Sequence, residues 1–112
     1  MRVHHLAFRT RDLTRLERFY TDALGLSIAR RDGDRSVWLR AGGTTLMLEL
    51  AEDGEPGLAT ASKELVAFGI EATDVERWRR VLEANGITVE GETAFTLYFR
   101  DPDGRRIGLS HY

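Results

Sequence analysis

With no cysteine among its 112 residues, the chain has no thiol nucleophile, thiolate metal site or disulfide. Acid–base or metal chemistry therefore falls to histidine and the carboxylates. Side chains at i and i+2 share one face of a strand. Along the first apolar run this puts Leu6 and Phe8 on one side and His5, Ala7 and Arg9 on the other. Along residues 44–50 it puts Leu46, Leu48 and Leu50 on the core side and Thr45, Met47 and Glu49 opposite. His5 and Glu49 are thus expected on one surface. A carboxylate that holds one ring nitrogen fixes the imidazole tautomer and raises its basicity, which makes the two a candidate catalytic acid and base. The same donor types suit a single divalent ion such as Ni, Zn, Mn or Fe. His4 has the opposite parity and His111 alternates away from Gly108, so both read as structural.

Around that pair, parity predicts a ligand cup that is partly apolar with a few polar anchors: Arg9, Trp38, Arg40 and Met47, with Tyr98, Arg100, Ser110 and Tyr112. The planar forks of Arg40 and Arg100 suit a carboxylate or phosphate, or else a surface ion pair. Trp78 falls on a helical period and reads as core.

The elements that must position these residues follow from turn signals and periodicity. Val3 to Phe8 reads as a strand, and Leu13, Leu16, Phe19, Tyr20, Ala23 and Leu24 carry a helical period that Gly25 ends. Three strand-like runs follow at 26–30, 36–40 and 44–50, separated by Asp32-Gly33-Asp34 and Gly42-Gly43. Residues 52–63 are polar, contain Gly54, Pro56 and Gly57, and read as a connector. The order then repeats. Leu65 to Ile70 is a strand, Thr73 to Glu76 has capping-box spacing before a helix reaching Gly86, and strand runs follow at 87–90, 93–100 and 105–112. Trp38 and Tyr98, like Arg40 and Arg100, stand 60 residues apart, which marks an internal repeat of two βαβββ halves. The expected fold is α+β in one domain, 1–112: module one 1–51, connector 52–63, module two 64–112.

Sixteen basic and eighteen acidic side chains leave a formal charge of −2, with no basic stripe for nucleic acid or an anionic membrane. No run of about 18 apolar residues occurs, and the N-terminus lacks an apolar signal core, so a cytoplasmic location is expected.

The whole chain resembles the vicinal oxygen chelate superfamily of glyoxalases, bleomycin-resistance proteins and dioxygenases. The carriers are His5-Leu6-Ala7-Phe8, Asp12-Leu13, Phe19-Tyr20, Leu24-Gly25-Leu26, Leu48-Glu49-Leu50 and Tyr98 through Gly104. The resemblance implies two modules curled into a cupped sheet, and a homodimer in which modules of two chains complete each cup. It also implies a divalent metal held from the first and last strand of each module. Those positions read His5, Glu49, Leu65 and Gly108, so half of the donor set is replaced. The resemblance implies one of two activities. One is a small-organic-molecule binder acting by sequestration. The other is a metal-dependent lyase, isomerase or dioxygenase in which His5 and Glu49 anchor the ion.

Overall fold

A computed structural model describes residues 1–112, which divide into two compact units, Met1–Gly57 and Leu58–Tyr112. The boundary falls inside the connector expected at 52–63. The fold is α+β, and each unit holds one four-stranded mixed sheet.

In the first unit the order is β1 (His5–Thr10), α1 (Leu13–Arg18), β2 (Ser27–Asp32), β3 (Ser36–Ala41) and β4 (Thr44–Leu50). The sheet runs β1-β4-β3-β2, with β1 parallel to β4 and the rest antiparallel. The Asp12 carboxylate caps α1 by accepting from Arg15 N–H at 3.1 Å, satisfying an otherwise orphan donor. The expected single helix is α-helical only to Arg18 and continues as one π-helical turn, Phe19–Ala23. Gly25 closes it at φ 76°, where a side chain would be strained. This helix buries Leu16, Tyr20, Ala23 and Leu24, and the sheet contributes Phe8, Val37, Leu39, Leu46 and Leu48 to the same core. The rings of Phe8 and Tyr20 meet at 5.9 Å.

The second unit repeats the plan with β5 (Leu65–Gly69), α2 (Val75–Ala84), β6 (Gly91–Glu92), β7 (Thr96–Arg100) and β8 (Arg106–Ser110), in sheet order β5-β8-β7-β6. Leu97, Phe99, Ile107 and Leu109 are buried on its helix side, and α2 buries Leu82. Trp78, expected in the core, is only half-buried and carries the Arg77 guanidinium 5.1 Å from its ring centre.

Two local expectations are corrected. The capping box at Thr73–Glu76 does not form, because the chain enters α2 through a 3-10 turn at Ala72–Asp74. Asp74 sits at the N-cap without a side-chain bond to the helix backbone and pairs with Arg77 at 3.2 Å instead. The strand expected at 87–90 lies at Gly91–Glu92, preceded by a bond from Glu90 N–H to the Tyr98 carbonyl at 2.8 Å. The following strand begins at Thr96, because the Thr93 hydroxyl accepts from both Phe95 N–H and Thr96 N–H and turns the chain there.

Candidate functional site

Each sheet has a helix-covered face and an open one, and strand register orders the open face into rows. In the first unit the rows are His5–Thr45–Arg40–Ser27, Ala7–Met47–Trp38–Arg30 and Arg9–Glu49–Ser36–Asp32. In the second they are Leu65–Arg106–Arg100, Ala67–Gly108–Tyr98–Gly91 and Gly69–Ser110–Thr96.

His5 and Glu49 therefore share the open face but are not brought together. His5 is in register with Thr45, whereas Glu49 is in register with Arg9, four residues farther along parallel strands. That separation is about 13 Å at about 3.3 Å per residue. Glu49 takes Arg9 Nη1 at 2.7 Å, and the His5 ring lies 5.3 Å from Trp38, with its Nδ1 2.9 Å from Nδ1 of His4. The expected imidazole–carboxylate pair is replaced by an ion pair and an aromatic contact.

The arginine that takes Glu49 also takes Glu55 from the connector. Arg9 Nε and Nη2 donate to Glu55 at 3.1 and 2.7 Å, a two-point fork, while Arg11 donates to the Glu55 carbonyl. These bonds hold the Glu55 carboxyl below its ordinary range and raise the Arg9 guanidinium further above its own. Glu55 carries no periodic signal, and sequence reasoning missed it.

Trp38 stands at the centre of this face. Its Nε1–H donates to Asp32 at 3.0 Å, and Arg30 lies 4.7 Å from its ring centre. Met47 is its cross-strand neighbour, and Arg40 is exposed with Nη1 donating to the Ile28 carbonyl at 2.7 Å. Arg9, Trp38, Arg40 and Met47 thus share the face that parity assigned to them.

On the second unit's open face, Tyr98, Arg100 and Ser110 also lie where parity put them, with Thr96 Oγ1 donating to Ser110 Oγ at 2.8 Å. Tyr112 does not line this face. It lies beyond the end of β8, is 97% exposed and packs edge-on against Phe95 at 5.1 Å. Arg106, absent from the residues that parity assigned to the cup, sits on the open face 4.2 Å from the Tyr98 ring centre. Its parity with Gly108 and Ser110 is the signal that finds it.

The chain belongs to the Glyoxalase/Bleomycin resistance protein/Dioxygenase superfamily, whose family model matches residues 2–109. Among curated relatives it is 28% identical over 113 residues to a metallothiol transferase FosB of Staphylococcus saprophyticus, covering 96% of this chain and 74% of that relative. It is 26% identical to the FosB of Staphylococcus epidermidis, covering 96% and 79%. Solved structures with the same fold include the fosfomycin resistance protein FosX of Mesorhizobium loti, at TM-score 0.82 and 20% identity over 99% of this chain and 91% of that one. A lactoylglutathione lyase of Agrobacterium tumefaciens matches at 0.77 and 23% over 97% and 92%.

A divalent ion of the kind the family resemblance implies does not fit the donors present. Register makes Met47, not Glu49, the counterpart of Gly108: Met47 pairs with Ala7 and Trp38 as Gly108 pairs with Ala67 and Tyr98. The four equivalent positions are then His5, Met47, Leu65 and Gly108, with one imidazole, one soft thioether and two positions lacking a donor. Counting Glu49 instead adds a carboxylate already held by Arg9. Neither unit assembles three or more His, Asp or Glu able to hold a metal. No helix is long and apolar enough to cross a membrane.

Proposed function

We propose that the protein binds a small organic molecule on its open sheet faces without a resident metal ion. The carrying observation is the replacement of metal donors by Met47, Leu65 and Gly108 at register-equivalent positions. Those replacements convert a chelating surface into an apolar one flanked by arginines, Trp38 and Tyr98. Aromatic side chains with a few fixed polar groups are the composition of ligand sites. The family's two-chain cup supports a homodimer as the binding form.

A divalent-metal lyase, isomerase or dioxygenase, or a thiol transferase like the relatives named above, is the second reading. What favours it is that His5 and Glu49 remain on one face and that curated relatives are named metallothiol transferases. Elemental analysis of protein purified without a histidine tag, before and after incubation with Ni, Zn, Mn and Fe(II), separates the two. Binding without metal is expected to leave far less than one ion per chain, whereas one ion per chain lost on Glu49→Ala would establish the metal reading. In parallel, a panel of aromatic and oxyanion compounds is expected to shift Trp38 fluorescence in a Trp78→Phe background. A silent panel counts against the binding reading itself.

A further inference from the structure

From Glu52 to Glu64 every residue of the connector is exposed except two, Glu55 and Ser62, and these are the two that arginines of the open faces hold. At the first foot, Arg9 of β1 forks onto the Glu55 carboxylate at 3.1 and 2.7 Å. Arg11 donates to the Glu55 carbonyl, and Glu52 N–H donates to Glu55 Oε1 at 3.3 Å. At the second foot, Arg100 of β7 donates from Nη1 to the Ser62 carbonyl at 2.6 Å. Each unit thus grips one foot of the connector from its own open face, and the stretch 56–61 between the feet is exposed throughout.

The two feet differ in chemistry. The first joins a carboxylate to a guanidinium, both in partial contact with solvent, so salt and protonation weaken it. The charged groups facing Glu55 are Arg9 from β1, Arg11 just beyond it, and Glu49 from β4, which takes Arg9 Nη1 at 2.7 Å. Glu49 both competes for Arg9 and repels Glu55, so this foot holds only while the cation stands between the two carboxylates. The Arg9 bond keeps the Glu55 carboxyl below its ordinary range, which leaves the foot charged at neutral pH. The second foot is a neutral carbonyl that does not titrate. Its arginine is itself fixed by Glu90 at 3.0 Å and by the Gly104 carbonyl at 3.2 Å. The chain there is bent through Ala61 at φ 58°, a left-handed conformation that a Cβ disfavours and that persists only where the surroundings fix it. Ser62 N–H to the Ala59 carbonyl at 3.3 Å and Glu64 N–H to Ser62 Oγ at 3.2 Å supply that fixing. The first foot is thus a latch and the second an anchor.

We infer that residues 52–57 form a strap that unlatches from the first unit's open face at Glu55 while Ser62 stays fixed, uncovering the Arg9–Glu49–Ser36 row. In that row Ser36 is only 6% exposed although the row lies on the open face, whereas His5 and Arg40 at the other end of the face are exposed. Closed, the strap keeps water and ligands from this end of the sheet; open, it lengthens the accessible face beyond Trp38. The device stands apart from the small-molecule reading above, because it needs no ligand to work or to be observed.

The test is amide hydrogen exchange followed by NMR on the full chain without ligand. The amides at 52 and 55, which close the first foot on each other, report the latch, and those at 62 and 64 report the anchor. Raising NaCl from about 0.05 M to about 1 M is expected to lower protection at 52 and 55 by about threefold or more and to leave 62 and 64 unchanged. Glu55→Gln is expected to produce the same loss at low salt and to abolish the salt dependence. In the wild type alone, protection at 52 and 55 is also expected to fall as pH drops below 4.5 and Glu55 protonates. Because the chain has no cysteine, Ser36→Cys gives a single-site probe of access, with Thr45→Cys at the other end of the face as control. Labelling by iodoacetamide is expected to quicken at 36, not at 45, when Glu55→Gln is added. Protection at 52 and 55 that ignores both salt and Glu55→Gln, or loosening at 62 and 64 first, overturns the latch. An unchanged labelling rate at 36 overturns the covering of the face.

Discussion

At the middle of the first unit's open face stands the row Ala7–Met47–Trp38–Arg30, and at the same place in the second stands Ala67–Gly108–Tyr98–Gly91. The alanine and the large aromatic keep their places, while the residue between them changes from a thioether to nothing. On either side of that row the charges have moved in opposite directions. In the first unit they gather at the C-terminal end of β1, where Arg9 bridges Glu49 and Glu55. In the second that row is the neutral Gly69–Ser110–Thr96, and the charges gather at the N-terminal end of β5, as Arg106, Arg100 and Glu90. Register repeats which position faces outward, but it does not repeat the chemistry installed there. The first unit's cluster sets one cation, Arg9, against two carboxylates, whereas the second's sets two cations, Arg100 and Arg106, against one, Glu90.

The largest expected effect comes from forcing the two middle rows to match. A Cβ at position 108 would lie 3.1 Å from Thr96 Cγ2 and 3.3 Å from Ala67 Cβ, closer than ordinary packing. Gly108→Glu is therefore expected to lower unfolding stability by about 2 kcal/mol, read by urea denaturation. Met47→Glu, at a position that already accommodates a Cβ, is expected to cost less than half of that. Thr96→Ser removes Cγ2 while keeping the hydroxyl that bonds Ser110, and is expected to recover part of the loss in the Gly108→Glu background. Equal losses at 47 and 108 would break the contrast between the rows.

A smaller effect is expected from removing the bridge at the end of β1. Arg9→Met leaves Glu49 and Glu55 facing each other without their shared cation, and the thermal midpoint at neutral pH is expected to fall by a few degrees. The folded-state pKa of Glu55 is lowered from the ordinary 4.5, chiefly by the Arg9 hydrogen bond. That stabilisation is complete above 4.5 and is lost as pH falls through the lowered folded value. The gap between wild type and Arg9→Met is therefore expected to close as pH falls well below 4.5 and Glu55 protonates in the folded chain. A gap that persists there would mean that Arg9 stabilises by packing rather than by charge.

The repeat, both helices and the open-face parity of Arg9, Trp38, Arg40, Met47, Tyr98, Arg100 and Ser110 were legible because period and parity are local properties of a chain. Register between strands is not local. The repeat advances by 60 residues from Ala7 to Ala67 but by 61 from Met47 to Gly108, because paired Trp38 and Met47 are nine residues apart along the chain and paired Tyr98 and Gly108 ten. Matching Leu48-Glu49-Leu50 to Ile107-Gly108-Leu109 by pattern therefore slipped by two residues, which preserves parity and leaves no trace in the alternation. The same two-residue freedom hid the partnership of Glu49 with Arg9. Glu55 was illegible for a different reason: an aperiodic connector offers no face to assign, and only its fork with Arg9 shows what it does.

The smallest expected effect tests whether His5 still does what its position in the family suggests. Replacing it by alanine makes the start of β1 as free of metal donors as Leu65 makes the start of β5. Because His5 is exposed and its ring contacts only His4 and Trp38, stability is expected to change by no more than about 0.5 kcal/mol. Divalent-metal content after incubation and desalting is expected to be the same as in the wild type, because the adjacent imidazoles of His4 and His5 find no third His, Asp or Glu beside them and hold an ion weakly. Trp38 emission in a Trp78→Phe background should nonetheless change, since a ring 5.3 Å away is removed. Loss of a stoichiometric ion on His5→Ala would show that donors outside the first unit's open face complete a site there. The contrast between the units would then be one of metal chemistry rather than of charge placement.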